Sequence, residues 1–369
     1  MGIERAMHSL DNFSVFLQRS LFPALEQEAG PLSVLDRQFM VTLAMSEFER
    51  FKAEFAWLGN GRPPAERLWL IHAFAAKSVY QFPTTSALIH ALRAQPTLRR
   101  LCGFAHSGEV PSEATFSRAF EQFSANKLAQ RVHERIVLTH VKPKLVGHIS
   151  RDATAIEAPE KPVFKPVAQP RKPRKRGRPA KGEVPEPPPP KRLDEQLTRP
   201  LEANIAELPC FCTVGTKRNS AGHQESWTGY KLHIDVVDGD VPVSLILSAA
   251  SLHDSQAAIP LAQMSFERFL SLYDLMDSAY DAPQIAQFSR QLGHVPIIDQ
   301  NPRRGENREF PPAEERRYCE RSSAERVNSL LKQRYGGRWV RVRGGAKVMC
   351  HLMFGIIALT AASLMARLA

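Results

Sequence analysis

The chain has 369 residues, more than one hydrophobic core usually serves, and its 43% hydrophobic content supplies material for two domains. The net charge of +11 points to an anionic partner, but eleven Lys and Arg against three Glu between Pro159 and Arg192 supply +8 of it, which excludes a uniformly basic surface. Five cysteines without framework spacing exclude a disulfide scaffold, and "CFC" at 210–212 lacks the two-residue gap and the second ligand pair of a zinc site.

The opening "MGIERAMHSLDNF" carries acidic residues and no apolar h-region, so no signal peptide is expected, and free thiols suit a reducing, cytoplasmic compartment. Residues 1–145 read as a helical domain. "PAERLWLIHAFAAKSVYQF", "TTSALIHALRA" and "SEATFSRAFEQFSANKLAQRVHERIVLTHV" all carry apolar residues at three and four spacing. Pro111 and a Ser112 N-cap start a helix that places Phe116, Ala119, Phe120 and Phe123 on one face. That helix fits either a helix-turn-helix arrangement or generic helical packing.

The pattern changes near Leu145, where "LVGHISRDATAI" predicts a strand ending on Asp152. Residues 159–200 follow as a flexible insertion, with eleven prolines between Pro159 and Arg192 and almost nothing to bury. "WTGYKLHIDVV" and "VPVSLILSAA" flank "DGD", which predicts a strand pair with a tight turn, and Asp235, Asp238 and Asp240 are expected turn residues. "SLHDSQAAIPLAQMSFERFLSL" is mostly helical, with Asp254 as its expected cap and Pro260 blurring its start. "LYDLMD" predicts a strand ending at Asp277. "DAPQIAQFSRQLG" predicts a helix opened by an Asp281–Gln284 capping box and closed by Gly293, and "VPIID" a last strand. The apolar "HLMFGIIALTAASLMARLA" opens with His351 and falls short of a comfortable bilayer span, so a buried core helix is expected and no membrane partner. The fold expected is α+β: a helical N-terminal domain, then an α/β mixed-sheet domain over 146–369.

In such a sheet, carboxylates at strand ends project into a crevice where ligands bind, so Asp152 and Asp277 can meet if their strands are neighbours. The stretch "YCERSSAERVNSLLK", 318–332, predicts a helix nearby. At 100° per residue Tyr318, Arg321, Glu325 and Lys332 fall inside an arc of about 60°, opposite Ala324, Val327, Leu330 and Leu331. By itself this stripe is also the pattern of a solvated helix surface with an Arg321–Glu325 pair. If Glu325 joins the two aspartates, three close carboxylates need cations, and magnesium suits such an oxygen site. Arg321 and Lys332 would then hold phosphates, with Tyr318 donating a hydrogen bond.

"RDATAIEA", "WTGYKLHIDVVDGDVPVSLILSAASLHDSQAAIPL", "LMDSAYDA" and "YCERSSAERVNSLLK" resemble the blocks of bacterial insertion-sequence DDE transposases with an RNase H-like catalytic domain. The last block resembles that group's Tyr-(2)-Arg-(3)-Glu-(6)-Lys signature at Tyr318, Arg321, Glu325 and Lys332. The resemblance covers about 146–369, and "VPSEATFSRAF" is similar, more weakly, to the same enzymes' N-terminal region. It implies that Asp152, Asp277 and Glu325 bind two Mg²⁺, with Mn²⁺ able to substitute. It further implies cutting and joining of double-stranded transposon-end and target DNA by a homodimer in a synaptic complex, in a bacterial, nucleoid-associated setting. Only 48 residues separate Asp277 from Glu325, too few for the large β-rich insertion of some relatives, so a hairpin intermediate is not implied. Within the insertion, "PRKRGRPAKG" resembles an AT-hook. Arg176 and Arg178 would enter an A·T minor groove along the flat path that Gly177 and Pro179 allow, or the segment is a plain basic linker. A stand-alone nuclease or resolvase with the same metal site, and an inactive DNA-binding regulator, are the competing functions.

Overall fold

A computed structural model of the chain describes residues 10–367 apart from 58, 60, 62, 143–144, 164–190, 219–221, 302–308 and 339. Helix α1, Leu10–Phe16, runs through a π turn into α2, Phe22–Ala29, and α3, Val34–Ser46, follows. A reciprocal capping box opens α3: the Ser33 hydroxyl accepts from the Asp36 amide at 3.2 Å, and the Asp36 carboxylate from the Ser33 amide at 2.8 Å. Next come α4, Arg67–Val79; α5, Thr85–Ala94; α6, Pro96–Leu101; α7, Glu113–Ala125; and α8, Leu128–His140. The α7 helix buries Phe116, Ala119, Phe120 and Phe123 as its spacing predicts. The longer helical reading through "SANK" breaks in two at Lys127, whose φ of 50° is left-handed.

The sheet comprises β1, Val146–Glu157; β2, Thr213–Arg218; β3, Gln224–Val237; β4, Val241–Ala249; β5, Ser271–Met276; and β6, Val295–Ile298. Helices α9, Arg192–Gln196, and α10, Leu201–Glu207, precede β2, while α11, Ser255–Arg268, and α12, Pro283–Gln291, cross over between later strands. Strand β3 pairs antiparallel with β1 on one side and with β2 and β4 on the other; β1, β5 and β6 run parallel. The chain closes with α13, Pro312–Tyr318; a 3₁₀ turn, Cys319–Arg321; α14, Ser322–Arg334; and α15, Gly345–Ala366. The architecture is α+β, a helical region followed by a mixed sheet of six strands.

Several local expectations need correction. Strand β1 does not stop at Asp152 but continues to Glu157, because Thr154 and Ile156 extend the ladder opposite Leu232 and Tyr230. Strand β2, polar and short, had no strand signal strong enough to read. A short helix, Arg192–Gln196, lies inside the expected insertion, because Leu193 packs with Tyr280 and Ile285. No Asp281–Gln284 capping box forms: Pro283 occupies the first turn, Asp281 accepts from the Asn301 amide at 3.0 Å, and Gln284 donates to Asp194 at 2.6 Å. Gly293, φ 83°, does close α12. Pro260 sits inside α11, where it leaves the Gln256 carbonyl without its helical donor; the Gln196 amide supplies one at 2.9 Å. The stretch 318–332 is not one helix, since the 3₁₀ turn separates α13 from α14.

One face of the sheet packs against α14, α15 and the N-terminal helices in a single hydrophobic cluster; α9 to α12 cover the other. Helix α15 is long and apolar enough to cross a bilayer, but 78% of its apolar window is buried in the protein, against α3, α4, α7, α8 and β4. Between the sheet and α11 lies a fully buried ion pair. Arg151 Nε and Nη2 each donate to an Asp235 carboxylate oxygen at 2.8 Å, and Ser265 Oγ donates to the same carboxylate at 2.7 Å. Asp235 is therefore no turn residue. Arg151 Nη1 also meets Met276 Sδ at 3.5 Å, so β1, β3, β5 and α11 join at one polar knot.

Removing one partner strands the other charge in the core, so Asp235→Ala should cost about 3–5 kcal/mol by urea denaturation. The double variant Arg151→Met with Asp235→Leu should lie within about 2 kcal/mol of the parent. Equal losses in single and double variants would rule out stranded charge as the cause.

Candidate active site

The register places Arg151 of β1 opposite Met276 of the parallel β5, so the next residue on each strand is an aspartate. Arg151 points into the α11 face, and alternation sends Asp152 to the α14 face, where Asn328 Nδ2 donates to its carboxylate at 2.9 Å. Asp277 begins the 3₁₀ turn Ser278–Tyr280, its carboxylate accepting from the Ala279 amide at 2.9 Å. Burial, with the charges of Asp277 and Glu325, pushes the Asp152 carboxyl up from 3.8 to about 6. Burial also raises Asp277, helped by Asp254 and Asp299 and opposed by the Ala279 amide and Arg321. Glu325, on α14, has an exposed side chain whose carboxylate pairs with Arg321 Nη2 at 2.9 Å. The fold thus brings Asp152 and Asp277 together and leaves Glu325 at the margin, within electrostatic reach but clasped by Arg321.

Residues 148–361 match the family model described as "Transposase DDE domain", and residues 24–122 match "Transposase domain (DUF772)". The chain belongs to the DDE transposases. No curated protein and no solved structure matches it. Membership implies DNA binding and the use of divalent metal ions.

The residues of this transposase fit such ions in chemistry. The donors are hard carboxylate oxygens, and Asp152 is held above its ordinary range by burial and, after it, by neighbouring negative charge that a cation would neutralise. The side chains are not drawn into a finished cage: among the described residues no three His, Cys, Asp or Glu lie close enough to hold one ion.

The polar stripe is spread rather than gathered. Ser150, two residues before Asp152 and on the same face, donates to the Glu320 carbonyl at 2.9 Å and pins the turn that carries Arg321. Arg321 lies 5.4 Å from the centroid of the Tyr318 ring, which packs on Phe310. Although burial works against its charge, Tyr318, Glu325 and Asp277 hold the Arg321 guanidinium above its ordinary value. Burial pushes the Tyr318 hydroxyl up to about 12, keeping it a donor. Lys332 sits about 10 Å along α14 from Glu325. It lines a cavity of about 400 Å³ with Glu157, Lys217, Trp227 and Arg338. Burial and then Lys217 lower its ammonium. Arg176, Gly177, Arg178 and Pro179 lie outside the described residues.

Two residues escaped the sequence reading, and a third, Asp254, departs from its expected role as a cap. Asn328 follows Glu325 by three positions, the signal that would have placed it beside Asp152. Tyr280 is fully buried, among the described residues its hydroxyl has no hydrogen-bond partner, and it feels the charges of Asp254, Asp152 and Asp277. Asp254 precedes α11 but makes no side-chain cap; its carboxylate instead pairs with Lys231 at 2.8 Å, and His253 meets Ser255 at 2.9 Å.

Because the folded Asp152 carboxyl titrates near 6 rather than 3.8, the unfolded chain gives up its proton first, so stability falls as pH rises from about 3.8 to about 6 and the full cost is present above 6. Without metal, Asp152→Asn should therefore be near neutral below about pH 4 and stabilising by about 1–3 kcal/mol at pH 8. Added Mg²⁺ should raise the melting temperature of the parent at pH 8 and leave the variant almost unmoved. Parallel pH curves for the two proteins would remove the repulsion.

Proposed function

We propose that this transposase cuts double-stranded DNA at transposon ends and joins the cut ends to a target, acting as a homodimer in a synaptic complex at the bacterial nucleoid. The observation that carries the reading is the pair of aspartates on adjacent parallel strands, Asp152 among them feeling the charges of both Asp277 and Glu325. In this reading residues 1–145 bind the DNA end and 146–369 form an RNase H-like catalytic domain interrupted over 159–200. The sheet order, antiparallel strands beside β1 and parallel strands beyond it, supports that fold.

Asp152, Asp277 and Glu325 are assigned as ligands for two Mg²⁺, with Mn²⁺ as a substitute. Such ions supply Lewis acidity to phosphodiester hydrolysis and transesterification. The chain's own groups do the positioning. Asn328 fixes one oxygen of Asp152, the Ala279 amide fixes Asp277, and Glu325 must exchange its pairing with Arg321 to become a ligand. Arg321, once released, offers a planar fork to phosphate oxygens, with Tyr318 donating beside it. Lys332 contacts a phosphate further along the strand, because two helical turns separate it from Glu325. The Tyr-Arg-Glu-Lys signature thus reads as a clamp spread along the DNA backbone, and Arg176 and Arg178 with Gly177 and Pro179 as a minor-groove arm.

Cleavage of a labelled end duplex tests the assignment. Asp152→Ala, Asp277→Ala and Glu325→Gln should each abolish Mg²⁺-dependent cutting while end binding stays within about threefold. Arg321→Ala and Lys332→Ala should retain cutting but slow it by about ten- to hundredfold, the effect of a lost hydrogen bond to a charged group. Full rates in both would return the helix to an ordinary solvated surface.

The basic segment is tested separately by deleting 171–181, which removes seven cations. The salt dependence of DNA binding should flatten with the fold intact; an unchanged slope would mean that the segment does not touch DNA.

A further inference from the structure

Away from the carboxylates, a cavity of about 420 Å³ opens between α4, α7 and the chain leading into α15, within the roughly 300–1,000 Å³ range of ligand sites. Lys77 of α4 lines it. This lysine is only 7% exposed, its ammonium reaches the cavity, and among the described residues it has no hydrogen bond and no ion pair. Burial alone pulls it down to about 8. His351 of α15 also lines the cavity but carries no compensating charge: its Nε2 meets the Gly336 carbonyl at 3.0 Å, and burial with Lys77 beside it lowers its pKa to about 4. Glu113, an exposed residue at the start of α7, is the carboxylate on the lining and stands beyond ion-pair distance of Lys77. Against it stand Arg343, whose Nε donates to the Pro159 carbonyl at 3.1 Å, and Lys347, paired with Glu121 at 3.0 Å.

A buried ammonium without a counter-ion is a standing cost, and a methionine would fill the same space without it. The arrangement makes sense if the counter-ion arrives with a ligand. Cationic lining, the exposed Ser117 hydroxyl and an open mouth suit an oxyanion rather than an apolar group. Pro159, also on the lining, precedes the basic insertion in the sequence.

We propose that the Lys77 cavity is a phosphate-binding site that seats a backbone phosphate of the transposon-end DNA, remote from the carboxylates that do the chemistry. The identity of the ligand rests on the transposase reading above; the need for an anion does not. The site uses α4, α5 and α7 as a docking wall, so it holds the end in position rather than reacting with it.

Two measurements on the full chain test this. Inorganic phosphate in the millimolar range should raise the melting temperature of the parent and leave that of Lys77→Met unchanged. Anisotropy with a labelled end duplex should show Lys77→Met binding about ten- to hundredfold more weakly, with the slope of log Kd against log salt reduced by about one. Cutting at saturating DNA should stay at the parental rate. If Lys77→Met fails to fold, Arg343→Ala on the exposed rim should weaken binding in the same direction. Parental affinity and slope in the variants overturn the proposal, and phosphate stabilisation with unchanged DNA binding overturns it in favour of a free-anion pocket. A parent that binds end DNA but never cuts it defeats the catalytic reading and leaves this one standing. A cutting parent with fully affine variants defeats this one alone.

Discussion

The buried Arg151–Asp235 pair is the constraint on which the site's geometry depends. Its two parallel hydrogen bonds lock β1 to β3, and the remaining guanidinium nitrogen reaches Met276 on β5. Both contacts fall one residue before the aspartates, so a slip of β1 against β3 would unpair a charge in the core before it could misplace Asp152, and a slip of β5 would lose the Met276 contact beside Asp277. Isolated buried pairs are weak sources of stability. Here the penalty for a wrong register is what matters, and it is local to the place where two carboxylates must lie side by side.

That side-by-side placement is itself unfavourable in the absence of cations. Burial raises both Asp152 and Asp277, aided by Asp277 and Glu325 at Asp152 and by Asp254 and Asp299 at Asp277, and their partners only partly answer this: the Asn328 amide, the Ala153 and Ala279 backbone amides and the charge of Arg321. The third carboxylate is kept apart by its own ion pair with Arg321. Such an arrangement spends stability of the sheet on a site that prefers to be filled, as functional sites commonly do.

The helical region and the sheet are not independent layers. Helix α15 leaves the sheet side of the molecule and buries itself among α3, α4, α7 and α8, so one hydrophobic cluster runs from Leu10 to Leu364. In the proposed function the bound end and the reacting phosphate must be held in one frame. A shared core provides that frame more rigidly than a linker between two domains.

Local signals in the chain were enough for elements whose cause is local. The α7 face, the "DGD" hairpin, the Gly293 stop and the apolar side of α14 follow from periodicity and turn chemistry, and the Tyr318, Arg321, Glu325 and Lys332 pattern was visible as spacing. Reading failed where a distant residue decides. Pro260 stays in a helix because Gln196 completes its hydrogen bond, and Asp235 leaves the turn because Arg151, 84 positions away, awaits it in the core. Asp254 gives up a cap for Lys231. The sequence by itself determined which residues are carboxylates, cations and core, because side-chain chemistry and periodicity are properties of neighbours along the chain. Tertiary structure alone decided that Glu325 faces Arg321, that Lys332 stands apart from Arg321, and that Lys77 lies buried with no counter-ion among the described residues, because charge pairing is set by distance in space.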